Sequence, residues 1–135
     1  MTDDGTITRL LAMLDDLDAD VDATIDLADE ITATGDPALL PRLTAELGKA
    51  VEERNGYARE LLGGVVAGLG GAETLPVLVR ASAVDLGDDQ DGLAAEIVDL
   101  VQADPQRAGS LLRPLTEDDD LAVAHRADWA LRFLP

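Results

Sequence analysis

"ETLPVLVRA" at residues 73–81 places a proline inside a stretch whose apolar residues otherwise keep helical spacing. Proline has no N–H to give to a helical ladder, and its ring clashes with the preceding turn. The same phrase stands earlier as "ALLPRLTAE" at 38–46, and later as "SLLRPLTED" at 110–118 with the proline displaced by one. Leu40, Leu75 and Leu112 open the three copies, 35 and then 37 residues apart. A phrase returning at that period marks a repeat architecture, in which each unit is one supersecondary element. Each copy follows a turn: "GDP" at 35–37, "GGAE" at 70–73 and "ADP" at 103–105. Asp36 and Asp104 suit helix N-caps, with Pro37 and Pro105 at the first helical position, where the missing N–H costs nothing. Pro76 lies near its helix start, whereas Pro41 and Pro114 lie deeper and are expected to kink their helices.

A second helix follows each of these. Leu61, Leu62, Val65, Val66 and Leu69 share a face within 56–69. Leu93, Ile97, Leu100 and Val101 do so within 92–101, and Val123, Ala127, Ala130 and Leu134 within 120–134. The three- and four-residue spacing is that of helices throughout. The N-terminal part fits the plan, with Ile7, Leu10, Leu11 and Leu14, the turn "LDAD" at 17–20, then Val21, Ile25, Ala28 and Ile31. The expected fold is all-α, with four helix pairs near 7–34, 36–69, 72–103 and 105–134 in one domain, 1–135. A competing pattern exists at the start. Leu10, Leu14, Leu17, Val21, Thr24, Ala28 and Ile31 also trace a heptad seam, which would suit one long helix pairing with a copy of itself. The cluster Asp15, Asp16, Asp18 and Asp20 favours a turn there, because aspartate is a poor helix-interior residue.

Composition agrees with helices. The 135 residues are 47% apolar, mostly Leu, Ala and Val, and Tyr57, Trp129 and Phe133 are the three aromatics. Strands favour β-branched and aromatic side chains, so this balance points away from them. A chain of this length buries roughly two-thirds of its unfolded surface. There is no cysteine, hence no disulfide, no thiolate metal site and no cysteine nucleophile. "MTDDGT" lacks the basic and apolar regions of a signal peptide. "LLGGVVAGLGGA" at 61–72 is too short and glycine-rich to span a bilayer. A cytoplasmic protein without membrane association is the expectation.

Charge narrows function further. Twenty-eight acids against ten bases give −18, and residues 1–36 hold eleven of the acids with Arg9 as their one base. Such a surface repels nucleic acid, whose binding depends on Lys and Arg neutralising phosphates. It attracts a basic protein. Nine of the ten bases are arginine and Asp outnumbers Glu, a balance that resembles high-GC bacterial coding bias.

"RLLAMLDDLDADVDATIDLADEITATGDPALLPRL" at 9–43 and "DDDLAVAHRADWALRFL" at 118–134 resemble the HEAT-repeat pattern. The match lies in a leucine-rich first helix, an acidic turn, a second helix opened by Asp and Val, then Gly-Asp-Pro and Leu-Pro-x-Leu. Asp22 departs from it, standing where arginine is usual. The resemblance implies an α-solenoid of about four stacked antiparallel helix pairs, whose second helices line a concave side that holds another macromolecule. HEAT-like folds include DNA glycosylases, but those need a basic cleft and aromatic residues around the base, the opposite of this chain.

No motif carries catalysis. His125, the one histidine, has no Ser or Thr nearby in its helix to serve as nucleophile. "DLGDDQDG" at 85–92 is acidic but misses the glycine and ligand spacing of an EF-hand loop. "DDD" at 118–120 suits a helix start, where negative charge complements the dipole. "LLGGVVAGLGG" matches neither phosphate-loop pattern, and Gly64 and Gly68, four apart on one face, suit close approach of a neighbouring helix. Without thiolates and with one imidazole, no tightly held transition metal and no cofactor is expected.

The sequence therefore leads to a non-enzymatic module that binds a basic partner protein, in one form an immunity- or antitoxin-like protein, in another an adaptor. The alternative is a self-associating structural scaffold, a homo-oligomer joined through its end helices or the heptad seam. The partner-binding candidates lie on second helices: Tyr57, Arg59 and Glu60, then Glu96 and Asp99, then Asp128, Trp129 and Arg132. Trp129 and Phe133 have a second reading, as a cover for the open end of the last helix pair.

Overall fold

A computed structural model describes residues 4–16, 18–87 and 90–135. Among them, eight α-helices run α1 (Asp4–Asp15), α2 (Val21–Ala33), α3 (Leu40–Glu52), α4 (Gly56–Gly70), α5 (Leu75–Ala83), α6 (Asp91–Ala103), α7 (Pro105–Leu112) and α8 (Leu121–Leu131), and no strand is present. Short 3-10 segments stand at Pro37–Leu39, Gly71–Thr74 and Arg113–Glu117.

These segments explain the recurring prolines. Pro41 lies in the first turn of α3 just after one 3-10 segment, and Pro76 in the first turn of α5 just after another. Pro114 opens the third segment, where α7 gives way to it. In each copy the proline sits where one helix type changes into another, so its missing N–H falls at a break in the α ladder. Pro76 is as shallow as expected; Pro41, expected to lie deeper and to kink its helix, sits at the same position in α3, because Pro37–Leu39 forms a helical lead-in of its own.

Caps set the remaining boundaries. The carboxylates of Asp20, Asp36, Asp104 and Asp120 each accept a backbone N–H from the turn they precede. Asn55 does the same for α4, accepting from Ala58 at 3.0 Å. Asp20 holds an extended backbone (ψ 121°) and Asp16 accepts the N–H of Asp18, so a turn divides α1 from α2. The continuous N-terminal helix does not form, and its seam is interrupted; seam residue Leu17 lies outside the described residues. Gly71, at φ 63°, stops α4 in a conformation only glycine takes without strain.

α1 packs on α2, α3 on α4, α5 on α6 and α7 on α8, and α2, α4, α6 and α8 touch in succession. Polar ties between pairs recur at about one repeat length. Arg42 donates to Thr8 at 2.9 Å, Arg107 to Glu73 at 2.8 Å and Arg80 to Asp118 at 2.6 Å. Ile7, Leu10, Leu43, Leu62, Leu78, Leu93, Ile97 and Leu112 fill the space between helices at full or nearly full burial. Each such side chain stabilises the fold by about 1.5–3 kcal/mol relative to exposure. The helical run Gly56–Ala83 is, among the described residues, the one long and apolar enough to cross a membrane by length and composition; half of its most apolar window is buried in the fold.

Two core expectations need correction. Val21 and Ile25 are 55% and 39% exposed, and the buried stripe of α2 is Thr24, Leu27, Ala28 and Ile31. The polar Thr24 replaces them because its hydroxyl donates back to the Asp20 carbonyl at 2.8 Å, leaving its methyl to the core.

Candidate functional site

Helices α2, α4 and α6 form a groove of about 460 Å³. Its floor is α4, which contributes Tyr57, Glu60, Leu61, Gly64, Val65 and Gly68. One wall is α2, through Ile25, Ala28, Asp29 and Thr32; the other is the start of α6, through Gly92 and Glu96. The lining contains three acids, Asp29, Glu60 and Glu96, and no Lys, Arg or His. Tyr57 and Ile25 add exposed apolar surface. The groove is therefore apolar below and anionic at its rim.

Glycines shape it unequally. A Cβ on Gly68 would lie 2.5 Å from the Thr32 Cγ2 atom, so this glycine permits the close crossing of α2 and α4. A Cβ on Gly63 would lie 2.8 Å from Leu93 Cδ1, which sets the crossing of α4 and α6. At Gly64 a Cβ would meet only Glu96 Oε1, at 3.9 Å. The sequence suggested that Gly64 and Gly68 both admit a neighbouring helix. Gly68 does; Gly64 opens into the groove.

The carboxylates differ in what they already do. Glu60 Oε1 accepts the N–H of Leu93 at 2.9 Å, filling the place of a cap at α6, whose own N-cap residue Gln90 makes no side-chain cap bond. Burial pushes the Glu96 carboxyl above the ordinary carboxylate range, and the Asp99 charge one turn away pushes it the same way. A cation placed beside it would act in the opposite direction, favouring the charged form.

Of the eight candidate residues, the groove brings together Tyr57, Glu60 and Glu96, with exposed Asp99 one turn beyond on α6. Arg59 is a correction: it is fully buried, and its guanidinium donates to the carbonyls of Ala81 and Val84. It is on the opposite side of α4 from the groove, because two residues separate it from Leu61 by about 200° and five from Gly64 by about 500°, both roughly half a turn round the helix. Asp128, Trp129 and Arg132 lie on or just after α8 and do not line the groove. Arg132 reaches Asp128 at 3.5 Å, so these two charges face each other. Trp129 is half-buried against the core, stacked under the Arg126 guanidinium at 4.0 Å and edge-on to Phe133 at 5.1 Å. That is the arrangement of an end cover. Burial, and secondly the charge of Arg59, hold the Arg126 guanidinium below its ordinary value, while its Nε donates to Ser82 at 3.0 Å.

Among the wall residues the sequence pattern placed Ile25 in the core and did not single out Asp29 or Thr32. Their signal was available: with Ile25 and Ala28 they occupy positions i, i+3, i+4 and i+7, a second face of α2 beside the buried one. His125 is exposed on α8. Among the described residues no three His, Asp or Glu side chains converge to hold a metal; Asp88 and Asp89 of the acidic turn lie outside the described residues. Of the "DDD" acids, Asp120 caps α8 and Asp118 takes both the Asp120 N–H and Arg80, which holds its carboxyl below the usual range. Comparison with protein-family models, curated proteins and solved structures finds no match to this chain.

Proposed function

We propose that the chain is a HEAT-like α-solenoid and acts as a non-enzymatic module that binds another protein, one with a basic face, along its second helices. The observation that carries this reading is the groove on α2, α4 and α6, apolar in its floor and ringed by Asp29, Glu60 and Glu96 with no base in its lining. The succession of contacts from α2 through α4 and α6 to α8 supports stacked pairs, each burying its apolar face on the next. An immunity- or antitoxin-like role suits this surface, since an acidic binder matches the phosphates it displaces from a basic cleft.

The test is kinetic. The partner is first recovered from the native host at low ionic strength, as a basic protein at fixed stoichiometry. Association should then slow steeply with salt, as the screening length falls to about 8 Å at physiological ionic strength. Charge reversal at Asp29 or Glu96 should weaken the complex more than reversal at exposed Asp119, because only the helix-borne pair is held in fixed geometry on the groove. Recovery of self-copies alone would instead favour the structural scaffold.

A further inference from the structure

We propose that the groove seats a basic amphipathic α-helix of the partner, laid along α4 with its apolar ridge over Gly64. This rests on the acidic-binder reading above and names the shape of what is bound.

Gly64 carries the argument. Glycine inside a helix costs about 1 kcal/mol relative to alanine, and at Gly63 and Gly68 that cost coincides with a neighbouring helix too close for a side chain. Gly64 is the groove glycine with no neighbour at that distance. Its missing side chain lowers the floor midway between the α2 and α6 walls, the place where a further helix would make its nearest approach.

The occupant is helical because the walls offer no backbone partners. α2, α4 and α6 use their own N–H and C=O groups within their ladders, and the described residues include no strand edge. An extended segment pressed on this apolar floor would leave its polar backbone unpaired, at a cost of about 1–3 kcal/mol for each group. A helix brings its hydrogen bonds with it, which is why apolar grooves between helices take amphipathic helices. From Tyr57 to Gly68 the floor runs about 17 Å at 1.5 Å per residue, room for three turns. The flanks of that helix are basic, since Asp29, Glu60 and Glu96 are the charged residue types of the groove and no base accompanies them. A second copy is a poor occupant. α2 exposes Asp22, Asp26, Asp29 and Glu30 and carries no base, so like charges would meet across the contact.

The probe is a synthetic 18-residue leucine–lysine peptide with leucines at helical spacing. Its control is an isomer of identical composition with strict alternation. Calorimetric titration should give a saturable 1:1 complex with the helical peptide and at least tenfold weaker binding of the alternating one. Gly64→Leu, which changes no charge and whose Cβ makes only an ordinary contact with Glu96 Oε1, should melt no lower than wild type and bind the helical peptide at least tenfold more weakly. Amide shifts on binding should centre on residues 25–32 and 57–68. Equal binding of the two isomers, or undiminished binding by Gly64→Leu, overturns the helix seat while leaving a charge-driven binder standing. Absence of salt-sensitive binding by either peptide overturns both.

Discussion

The carboxylate of Glu60 on α4 accepts the backbone N–H of Leu93 at the start of α6, 2.9 Å away. α4 thus caps the first turn of α6, supplying from a distant helix what a local Ser, Thr, Asp or Asn would supply within a single chain segment. A Cβ on Gly92 would collide with that carboxylate, which is why glycine stands there.

Glu60→Ala should lower stability by about 1 kcal/mol, the ordinary loss of a helix cap, and raise amide exchange at Leu93 and its neighbours. Glu60→Gln keeps an acceptor oxygen and should cost less. Urea titration with hydrogen exchange separates them. Equal losses would mean that Glu60 contributes through its charge and not through the cap.

Glu96→Gln should stabilise the protein at neutral pH. The folded carboxyl binds its proton more tightly than the unfolded one, because of burial and the charge of Asp99. The unfolded chain therefore loses that proton first as pH rises, and stability falls through the window above the ordinary carboxylate value. Replacing the carboxyl by a neutral amide removes the loss, since helix propensity is nearly unchanged. The melting temperature of the variant should exceed wild type at pH 7, and the two should converge at about pH 3, where the acid is neutral in both states.

Gly68→Ala should destabilise by about 1–3 kcal/mol through overpacking. The obstacle is Thr32 Cγ2, and Thr32 cannot easily turn away: it is β-branched and its hydroxyl donates to the Ala28 carbonyl at 3.0 Å. Gly64→Ala, four residues earlier, should gain up to about 1 kcal/mol from helix propensity alone. Thr32→Ser removes the methyl and keeps the hydroxyl, so it should rescue Gly68→Ala in thermal melts. No rescue would place the strain elsewhere than at this crossing.

Arg59→Ala should cost about 3 kcal/mol or more, since it opens a cavity and strands the Ala81 and Val84 carbonyls that the guanidinium now satisfies. Arg59→Lys should recover part of this, as a single ammonium lacks the planar fork. Chemical denaturation measures both. A stability loss within about 0.5 kcal/mol, typical of surface substitutions, would contradict the buried placement.

What the sequence determined by itself was the helical class and the order of the elements. The 3.6-residue spacing of Leu, Val and Ile is local, and so are Asp36 before Pro37 and Asp104 before Pro105, so eight helices and their turns could be read from neighbours along the chain. The overall acidity was equally legible, since 28 acids against ten bases are counted directly from the chain. Only the tertiary structure decided what each equivalent-looking residue faces. Gly64 and Gly68 sit one turn apart on the same helix, yet one meets Thr32 and the other opens into the groove. Arg59 and Glu60 are adjacent, yet one is sealed in the core and the other caps α6. The physical reason is that helical periodicity assigns a side chain its direction about its own axis, while what waits in that direction depends on where the next helix crosses, and that crossing is set by packing between residues more than thirty positions apart.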